Sequence, residues 1–388
     1  MCRIGLVAIC GALFVQSAGA ADFPKFRHVT IDPNCGKVCY ALRLADVDGD
    51  KRNDIIAVTE NRVLWYQNPS WKKHVIIADQ TERDNVCIAE MDIDGDGAID
   101  FALGAGWTKT GTIQWLSRGK SLDEPWRVHF IGKEVWTHRM RFADVLGTGR
   151  PQLVVSPLNK TRGEGARLTA FEIPKNPKTD PWKQTVLDAT LNRMHNHWHI
   201  ASEGQRPART LTASQEGVHL IRKTEDGWRK IQLSKGMPGE RGAEIGSGEI
   251  KTGRLADGAR FITTIEPMHG TSVVVYMLTD GRPPLVRHVL DDSLKRGHAL
   301  WTADIDGDGG DELIVGHSGV GLGPVKGPGV YVYKAADKTG AVWKKHVIDD
   351  GGIATEDVIA ADLTGDGRID IVAGGRATHN IKLYVNER

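Results

Sequence analysis

One unit of about 50 residues recurs seven times along this chain, and this recurrence constrains the fold more than any other feature. The unit contains a turn rich in aspartate and glycine and a strand-like segment typified by WKKHVI, which occurs at 71–76 and 343–348. The turn is clearest from Asp46, Asp92, Asp144, Asp304 and Asp362, and two degenerate copies lie near Ala201 and Gly253. Looser copies of the second segment begin at 26, 126, 182, 228 and 285. The short apolar segments between these turns predict four strands in each unit.

A repeat of this length with four strands is typical of a propeller blade. The last unit stops at NIKLYVNER after three strands, whereas the chain begins with a spare fourth strand, FRHVTI, at 26–31. We expect this N-terminal strand to complete the last blade and close the ring, because closure removes an open sheet edge. The sequence therefore predicts an all-β fold, a single seven-bladed β-propeller over residues 21–388.

Residues 1–20 predict a secretory signal peptide. Arg3 precedes an apolar run at 4–15, and Ala18 and Ala20 supply the small residues of a cleavage site. The run is shorter than the roughly 20 residues that a membrane-spanning helix needs. We expect an exported protein, periplasmic or extracellular, without a membrane partner. In such a compartment Cys35 and Cys39 could close a small disulfide loop.

Charge argues against a nucleic-acid partner. The chain has 50 basic and 49 acidic residues, and no strongly basic segment stands out.

Four of the turns carry oxygen-bearing side chains at positions 1, 3, 5 and 9, a pattern that suits a hard cation such as Ca²⁺. Four like charges in one turn repel one another unless a cation neutralises them, so we predict structural Ca²⁺ sites. An EF-hand would need a glutamate at position 12, where Leu103 and Val315 lie instead. The turn at Asp144 has Leu146 and Thr148 at ligand positions, and we expect it to bind no ion. The predicted ligands are Asp46, Asp48, Asp50 and Asp54; Asp92, Asp94, Asp96 and Asp100; Asp304, Asp306, Asp308 and Glu312; and Asp362, Thr364, Asp366 and Asp370.

Histidines occupy one recurring position in the repeat. Six residues before each turn, the seven units carry Tyr40, Val86, His138, His195, a residue near Ser247, His298 and Glu356. Three histidines at one position around one channel predict a functional site, as metal ligands or as acid–base groups.

Histidines also alternate in the segment LNRMHNHWHIASEG, residues 191–204, and alternate residues of a strand share a face. We interpret His195 as a site residue and His199 as part of the scaffold. His197 replaces an apolar residue, and a polar group buried there needs a partner. Glu249 of the next unit is the expected partner, so the pair is either a buried hydrogen bond or part of the site.

Some segments of this chain resemble known families. IEPMHG (265–270), RGHALWTADIDGDGGDELIVG (296–316), MHNHWHIASEG (194–204) and TASQEGVHLI (212–221) resemble the propeller part of aldos-2-ulose dehydratases and their bacterial relatives. The acidic turns resemble the calcium-binding FG-GAP repeats, also called VCBS repeats, of integrin-type propellers. The first resemblance implies removal of water from ketosugars such as 1,5-anhydrofructose, with bound metal ions.

On this basis we predict a carbohydrate-active carbon–oxygen lyase, a dehydratase that performs metal-assisted β-elimination on 1,5-anhydrofructose or a 3-keto-glycoside. His138, His195 and His298 are the candidates for a second divalent metal, Zn²⁺, Mg²⁺ or Mn²⁺, or for an electrophile. Glu266 and His269 are the candidates for the base and the acid. An upstream sugar oxidoreductase is the expected source of the ketone. The candidates for binding the small sugar or glycoside are Trp107, Arg139, Lys160, His197, His317, Arg376 and His379.

Two alternatives remain at this stage. A polysaccharide lyase would need a long groove with several Arg and Lys residues for uronic acids. A non-catalytic calcium propeller that binds carbohydrate or protein would show varied side chains at the channel and no metal beyond Ca²⁺, because a fold alone does not define a function.

Overall fold

The computed structural model describes residues 23–119, 121–122, 124, 126–161, 165–204, 207–239, 244–278, 282–319 and 327–387. The signal peptide expected at 1–20 lies outside these residues, so the exported location stays a prediction. In the described part of the chain, no helix is long and apolar enough to cross a membrane.

The described residues form seven antiparallel sheets of four strands each. Blade 1 contains β2 (Ala41–Ala45), β3 (Asp54–Val58), β4 (Arg62–Gln67) and β5 (Lys72–Ala78). Blade 2 contains β6 (Cys87–Met91), β7 (Asp100–Ala105), β8 (Thr112–Ser117) and β9 (Arg127–Lys133). Blade 3 contains β10 (Thr137–Ala143), β11 (Gln152–Pro157), β12 (Ala166–Glu172) and β13 (Lys183–Leu191). Blade 4 contains β14 (Met194–Ile200), β15 (Arg209–Ser214), β16 (Gly217–Thr224) and β17 (Gly227–Ser234). Blade 5 contains β18 (Ile250–Arg254), β19 (Arg260–Glu266), β20 (Ser272–Met277) and β21 (His288–Asp291). Blade 6 contains β22 (Gly297–Ala303), β23 (Glu312–His317), β24 (Gly329–Ala335) and β25 (Trp343–Asp350). Blade 7 contains β26 (Thr355–Ala361), β27 (Asp370–Gly375), β28 (Ile381–Glu387) and β1 (Lys25–Asp32).

The first strand of each blade contacts the first strands of its two neighbours, so these seven strands form a closed ring around the central channel. The ring is completed by β1, which pairs with β28 from Lys25↔Glu387 to Thr30↔Lys382. The predictions of an all-β, seven-bladed propeller and of closure by the N-terminal strand are confirmed.

Burial explains the sequence pattern of each blade. The second strands are buried along most or all of their length, and in blades such as 1 and 2 they are predominantly apolar after their first residue, as in β3 and β7. The fourth strands are largely exposed and, as in β5, bury only a pair of consecutive residues near their end, because they form the outer edge of each blade. Apolar clusters fill the space between neighbouring blades; one of them packs Trp65 of blade 1 with Phe101 and Trp126 of blade 2. Cys35, Cys39 and Cys87 are buried free thiols in this interior.

A polar joint recurs between blades. In blade 6, Tyr333 donates its hydroxyl to Asp291 of blade 5 at 2.6 Å, and Lys345 contacts the same oxygen at 2.8 Å. Burial alone would raise the pKa of Asp291, but Lys345, Ser293 and Tyr333 lower it to about 2. The joint ties the outer strand of one blade to the next. The same three residue types meet in Tyr66, Lys73 and Asp32, and in Tyr384, Lys382 and Asp349.

Candidate active site

Four of the first strands carry a β-bulge at their beginning. In β10 the pairing moves from Thr137↔Pro157 to Arg139↔Ser156, which leaves the residue between Thr137 and Arg139 without a partner. The same shift occurs in β14, β22 and β26. A bulged residue leaves the regular alternation of the strand and can be aimed in a new direction. The residues at the four bulges are His138, His195, His298 and Glu356.

Blade 5 contributes a different residue than the sequence count suggested. Its turn is shorter, since Arg254 pairs with Arg260, whereas Ala303 pairs with Glu312 in blade 6. Aligning the blades on these pairs places Glu249, not Ser247, at the position of the bulged histidines. The residue expected near Ser247 is therefore Glu249, two positions further along the chain.

Three histidines converge at the end of the channel where the first strands begin, which we call the channel mouth. One ring nitrogen each of His138, His195 and His298 lies within 4.8 Å of the others, and all three side chains are buried. The ring centroids of His195 are 4.6 Å from His138 and 5.0 Å from His298. This grouping has the size of a metal site with three ligands.

The Nδ1 atom of each of these histidines faces an oxygen. His138 Nδ1 lies 2.9 Å from the carbonyl oxygen of His195, and His298 Nδ1 lies 2.6 Å from that of Glu356. His195 Nδ1 lies 3.1 Å from Glu249 Oε1. A proton on each Nδ1 leaves the lone pair on Nε2, which is the usual arrangement of metal-binding histidines.

Burial sets the charge of the cluster. It lowers the pKa of His195 to about 4, although Glu249 opposes this effect, and it holds the pKa of His138 well below the ordinary value. Both rings are therefore neutral at pH 7, the form that can bind a metal ion.

Glu249 is ionised at the base of the cluster. Burial alone would raise its pKa, but Arg139 and His195 hold the pKa of Glu249 well below the ordinary value. Arg139 Nη2 donates to Glu249 Oε1 at 2.9 Å, and Asn196 donates to the other carboxylate oxygen. The carboxylate therefore fixes the orientation of His195. Glu356 has a comparable place beside His298 Nε2, at 3.6 Å, and Arg376 contacts both of its oxygens at 2.7 Å.

His269 stands over this cluster on the loop between β19 and β20. Its Nε2 lies 3.1 Å from His195 Nε2, and its ring stacks on His298 with centroids 4.8 Å apart. The backbone of His269 has φ 55°, a conformation that is uncommon for a residue with a side chain and that often marks functional sites. Burial lowers its pKa well below the ordinary value, with His298 and His195 adding to the effect. His269 is half-buried, so its neutral ring can meet a ligand that enters the mouth.

A cavity of about 270 Å³ opens beside His195, between blades 4 and 5. Four of the lining residues can donate or accept hydrogen bonds besides the histidine, which suits a polyhydroxylated ligand. Two of them, Arg193 and Glu244, were not predicted from the sequence. They lie outside the positions that recur in the seven units, so the repeat pattern does not point to them. The lining consists of Arg193, His195, Gln215, Glu244, Ile245, Ser247 and Met268.

The structure places Glu266 behind the mouth. Its carboxylate is fully buried, accepts hydrogen bonds from Ser247 and Tyr276 at 3.0 and 2.5 Å, and pairs with Arg287 at 2.6 Å. This carboxylate is therefore fully engaged, and it holds the beginning of the loop that carries His269.

His197 and His199 lie deeper than the mouth. His197 Nδ1 is 2.8 Å from Ser156 Oγ, and His199 Nδ1 is 3.0 Å from Thr210 Oγ1. The expected pairing of His197 with Glu249 is wrong, because the bulge at His195 brings that residue, rather than His197, to the carboxylate.

The other predicted ligand-binding residues are spread around the mouth. Trp107 contacts His138, with ring centroids 5.9 Å apart, so it borders the cluster. His317 is fully buried and packs against Tyr331. Lys160 and His379 are exposed, and His379 Nδ1 is held by the carbonyl oxygen of Lys37 at 2.6 Å.

The acidic turns lie at the opposite ends of the first strands. In three turns, the aspartates at positions 1, 3 and 5 bring one carboxylate oxygen each within 4.8 Å of the others: Asp46, Asp48 and Asp50; Asp92, Asp94 and Asp96; and Asp304, Asp306 and Asp308. The residue at position 9 has another task, because it accepts a backbone N–H of its own turn. Asp54 does so from Val47 at 2.9 Å, and the uncharged Gln152 does so from Val145 at 2.9 Å in the turn at Asp144.

Negative charge accumulates in these turns. Burial, with repulsion from neighbouring aspartates, raises the pKa of Asp54 to about 6, of Asp100 to about 7 and of Glu312 to about 8. Lysines neutralise part of this charge: Lys178 reaches Asp94 at 2.6 Å, and Lys334 contacts Asp306 and Asp308. In the turn at Asp362, Arg368 pairs with Asp366. The oxygen donors of the three aspartate triads fit Ca²⁺.

Sequence comparison agrees with this architecture. Residues 110–279 match the family model for the β-propeller domain of aldos-2-ulose dehydratase, and residues 46–103 match that for an FG-GAP-like repeat. Aldos-2-ulose dehydratase of Phanerodontia chrysosporium is 28% identical over 274 residues, which cover 64% of this chain and 30% of that protein. The chain thus spans less than a third of the length of this curated relative.

Solved structures share the fold at low sequence identity. The extracellular domain of a hybrid two-component system from B. thetaiotaomicron has a TM-score of 0.56 at 12% identity, covering 94% of this chain and 40% of that one. A chain of the mitotic checkpoint complex has a TM-score of 0.58 at 10% identity over 100% of both chains. BBS1N, in a complex with ARL6DN, has a TM-score of 0.56 at 13% identity, covering 94% of this chain and 97% of that one. These likenesses concern the fold alone, whereas the family-model matches confirm the resemblance found in the sequence, to the β-propeller domain of aldos-2-ulose dehydratase over residues 110–279 and to an FG-GAP-like repeat over residues 46–103.

Proposed function

We propose that this chain is a metal-assisted dehydratase that removes water from a small ketosugar at the channel mouth. The observation that carries the proposal is the convergence of His138, His195 and His298, each with its Nδ1 beside an oxygen. The similarity to the propeller domain of aldos-2-ulose dehydratase supports the same reaction class.

The three histidines would hold the divalent metal through Nε2. Their fixed orientations suit Zn²⁺, Mg²⁺ or Mn²⁺, with an imidazole preference for Zn²⁺. A metal bound there would supply Lewis-acid stabilisation of the negative charge that develops on the ketone oxygen.

The chain itself would move the protons. A base removes the proton on the carbon next to the ketone, and the electron pair forms the new C=C bond as the C–O bond at the next carbon breaks. The departing hydroxide takes a proton and leaves as water, so the product is an enone. The neutral ring of His269 is the candidate base, because it is half-buried at the mouth and one of its two nitrogens carries a lone pair at pH 7.

Other residues would position these groups. Glu249 and Arg139 hold His195, and Glu266 with Arg287 holds the loop of His269. Arg193 and Gln215 line the cavity where the sugar hydroxyls would lie. The cavity of about 270 Å³ is slightly smaller than typical small-molecule sites, which favours a single sugar over a polymer.

An absorbance time course for the conjugated enone tests the proposal. Purified protein, loaded in turn with Zn²⁺, Mg²⁺ or Mn²⁺, is mixed with 1,5-anhydrofructose and with a 3-keto-glucoside. We expect enone formation that a chelator abolishes and that His195→Ala reduces by at least about 100-fold. His219→Gln, which removes a buried histidine of β16 that belongs neither to the histidine cluster nor to the lining of the cavity beside His195, should retain activity. Flat traces with every metal and both substrates, from folded wild-type protein, would contradict the proposal.

The acidic turns would have a structural role. We propose that the three aspartate triads bind Ca²⁺ and stiffen blades 1, 2 and 6.

A further inference from the structure

The channel below the mouth contains an unusual excess of positive charge. A small cavity of about 20 Å³ lies there, enclosed by the first strands. Its charged lining comprises four cations, Arg43, Arg139, Arg141 and Lys251, and only two carboxylates, Glu249 and Asp357; the remaining lining residues are uncharged. Buried charges of one sign repel strongly unless counter-charges lie close to them.

The two carboxylates are already engaged. Glu249 accepts from Arg139 at 2.9 Å and faces His195. Asp357 accepts the backbone N–H of Leu42 at 2.9 Å and lies 3.9 Å from Arg43, which also pairs with Glu90 at 3.3 Å. Arg43 and Arg139 therefore each have a carboxylate as counter-charge. Arg141 and Lys251 are compensated less well.

The hydrogen bonds of Arg141 go to neutral groups. It donates to Asn196 Oδ1 at 3.0 Å and to the carbonyl oxygen of His197 at 2.7 Å. Among the residues that the structure describes, no carboxylate lies within ion-pair distance of its guanidinium. Its remaining contact is the face of Trp198, with the guanidinium carbon 5.0 Å from the ring centre.

Lys251 is nearly as poorly compensated. It stands four residues before its turn, a position that holds apolar residues such as Leu42 and Leu300 in other blades, and it is 3% exposed. Its Nζ makes one long hydrogen bond of 3.4 Å to the carbonyl oxygen of Ile250, and Glu249 Oε2 is 3.9 Å away. An ammonium group has three protons to donate, so most of its hydrogen-bonding capacity remains unused.

Arg141 and Lys251 both contact the ring of Trp198. Lys251 Nζ lies 4.7 Å from the Trp198 ring centre and 5.4 Å from that of Trp301, which itself lines the cavity. Burial, together with the neighbouring cations, lowers the pKa of Arg141 to about 9, and burial lowers that of Lys251 to about 7 against the opposing effect of Glu249. The protein's own groups thus leave these charges largely uncompensated.

We propose that the channel cavity binds one small monovalent anion, a halide such as chloride, between Arg141 and Lys251. A halide accepts hydrogen bonds from ammonium and guanidinium groups and restores charge balance within the cavity. The cavity of about 20 Å³ has room for a single water-sized occupant, so phosphate, sulfate and carboxylates are too large. This site is separate from the metal-binding role of the histidines and does not depend on it.

Bromide diffraction tests the position directly. Crystals of the wild-type protein grown in sodium bromide are measured at the bromine absorption edge. We expect an anomalous peak in the cavity, within hydrogen-bond distance of Lys251 Nζ and of the Arg141 guanidinium. A water molecule at this place, without anomalous signal at molar bromide, would overturn the proposal.

Thermal unfolding tests the energetics. At constant ionic strength, replacing sodium gluconate by sodium chloride should raise the Tm of the wild type by about 1–3 °C, with saturation. Lys251→Met should abolish the chloride-dependent shift. Lys345→Met is the matched control, because Lys345, like Lys251, lies over an aromatic ring, that of Tyr331, but has Asp291 as its own counter-charge. The Tm shift of this variant should equal that of the wild type. An undiminished shift in Lys251→Met would refute the assignment, and if that variant does not fold, the diffraction result decides.

Discussion

Replacing Glu249 by glutamine should weaken metal binding at the mouth without removing any ligand. Glu249 Oε1 faces His195 Nδ1 at 3.1 Å and accepts from Arg139 at 2.9 Å. The neutral amide of Glu249→Gln no longer fixes the tautomer of His195 or raises its basicity. Because changes behind metal-binding histidines typically cost 10- to 100-fold in affinity, we expect a loss of about 30-fold for Zn²⁺.

The same change should also destabilise the fold. Arg139 is nearly buried, and in the variant it keeps its charge without the carboxylate that compensates it. Breaking a buried ion pair costs about 3–5 kcal/mol of stability. Because the glutamine retains an oxygen that can accept from Arg139, we expect the free energy of unfolding to fall by about 3 kcal/mol. Urea unfolding measures this loss, and competition with a chromophoric chelator measures the affinity for Zn²⁺.

A matched variant separates the two effects. Glu266 is a buried carboxylate with its own arginine, Arg287 at 2.6 Å, and it contacts none of the clustered histidines directly. Glu266→Gln should lose a similar amount of stability but keep its Zn²⁺ affinity within about threefold. Equal affinity for Zn²⁺ in wild type and Glu249→Gln, both folded, would refute the reasoning that the carboxylate orients a metal ligand.

Three further predictions concern stability. Millimolar Ca²⁺ should stabilise the wild type by about 1–3 kcal/mol, as measured by calorimetry. Asp304→Asn should lose part of this stabilisation, whereas the control Asp144→Asn should keep all of it. A response to Ca²⁺ that neither change alters would contradict a site at blade 6. Tyr333→Phe removes a hydroxyl that donates to the buried carboxylate of Asp291 at 2.6 Å, and it should lower the free energy of unfolding in urea by about 1.5–3 kcal/mol. A decrease below about 0.5 kcal/mol would show that the joint between blades 5 and 6 is not stabilising. Burial lowers the pKa of His219 to about 4, whereas in the unfolded chain this histidine is protonated near pH 6.5. The free energy of unfolding is therefore unaffected by this group above pH 6.5 and falls by up to about 3 kcal/mol as the pH drops towards 4. His219→Gln should flatten the dependence of the free energy of unfolding on pH in this range, and an unchanged slope would contradict the assignment.

The fold could be predicted because the repeat determines it. Seven copies of one turn and one edge strand fix the number of blades, and the spare strand at 26–31 indicates how the ring closes. Each of these signals is local and periodic, so tertiary contacts do not override it. The joint of Tyr333, Lys345 and Asp291 could not be foreseen, because its residues belong to two blades and lie 42 and 54 positions apart from the aspartate.

The site could be predicted only in part, for a geometric reason. A common spacing singled out His138, His195 and His298, which the structure brings within 4.8 Å. Counting from glycine motifs failed for Glu249, because the turn of blade 5 is shorter and only strand pairing shows the true alignment. The regular alternation of side chains along a strand also misled. It places His195 and His197 on the same face of β14, whereas the bulge at His195 gives the two side chains different surroundings.

The bulges lie in four of the seven blades, whereas blade 5, which contributes Glu249, pairs regularly from Ile250↔Thr264. Blades 1 and 2 begin their first strands with regular pairing, as in the hydrogen bonds from Tyr40 N to Val58 O at 2.8 Å and from Val86 N to Gly104 O at 3.0 Å. Blades 3, 4, 6 and 7 carry a bulge at the same position, and each bulged residue is a histidine or a glutamate. A bulge disrupts the ladder of hydrogen bonds locally, and four such disruptions at one position are expected only where the redirected side chains have a task. Sequence changes that restore regular pairing in these blades should therefore stabilise the ring and remove the convergence of the histidines, which is the relation between strain and function that the proposed site requires.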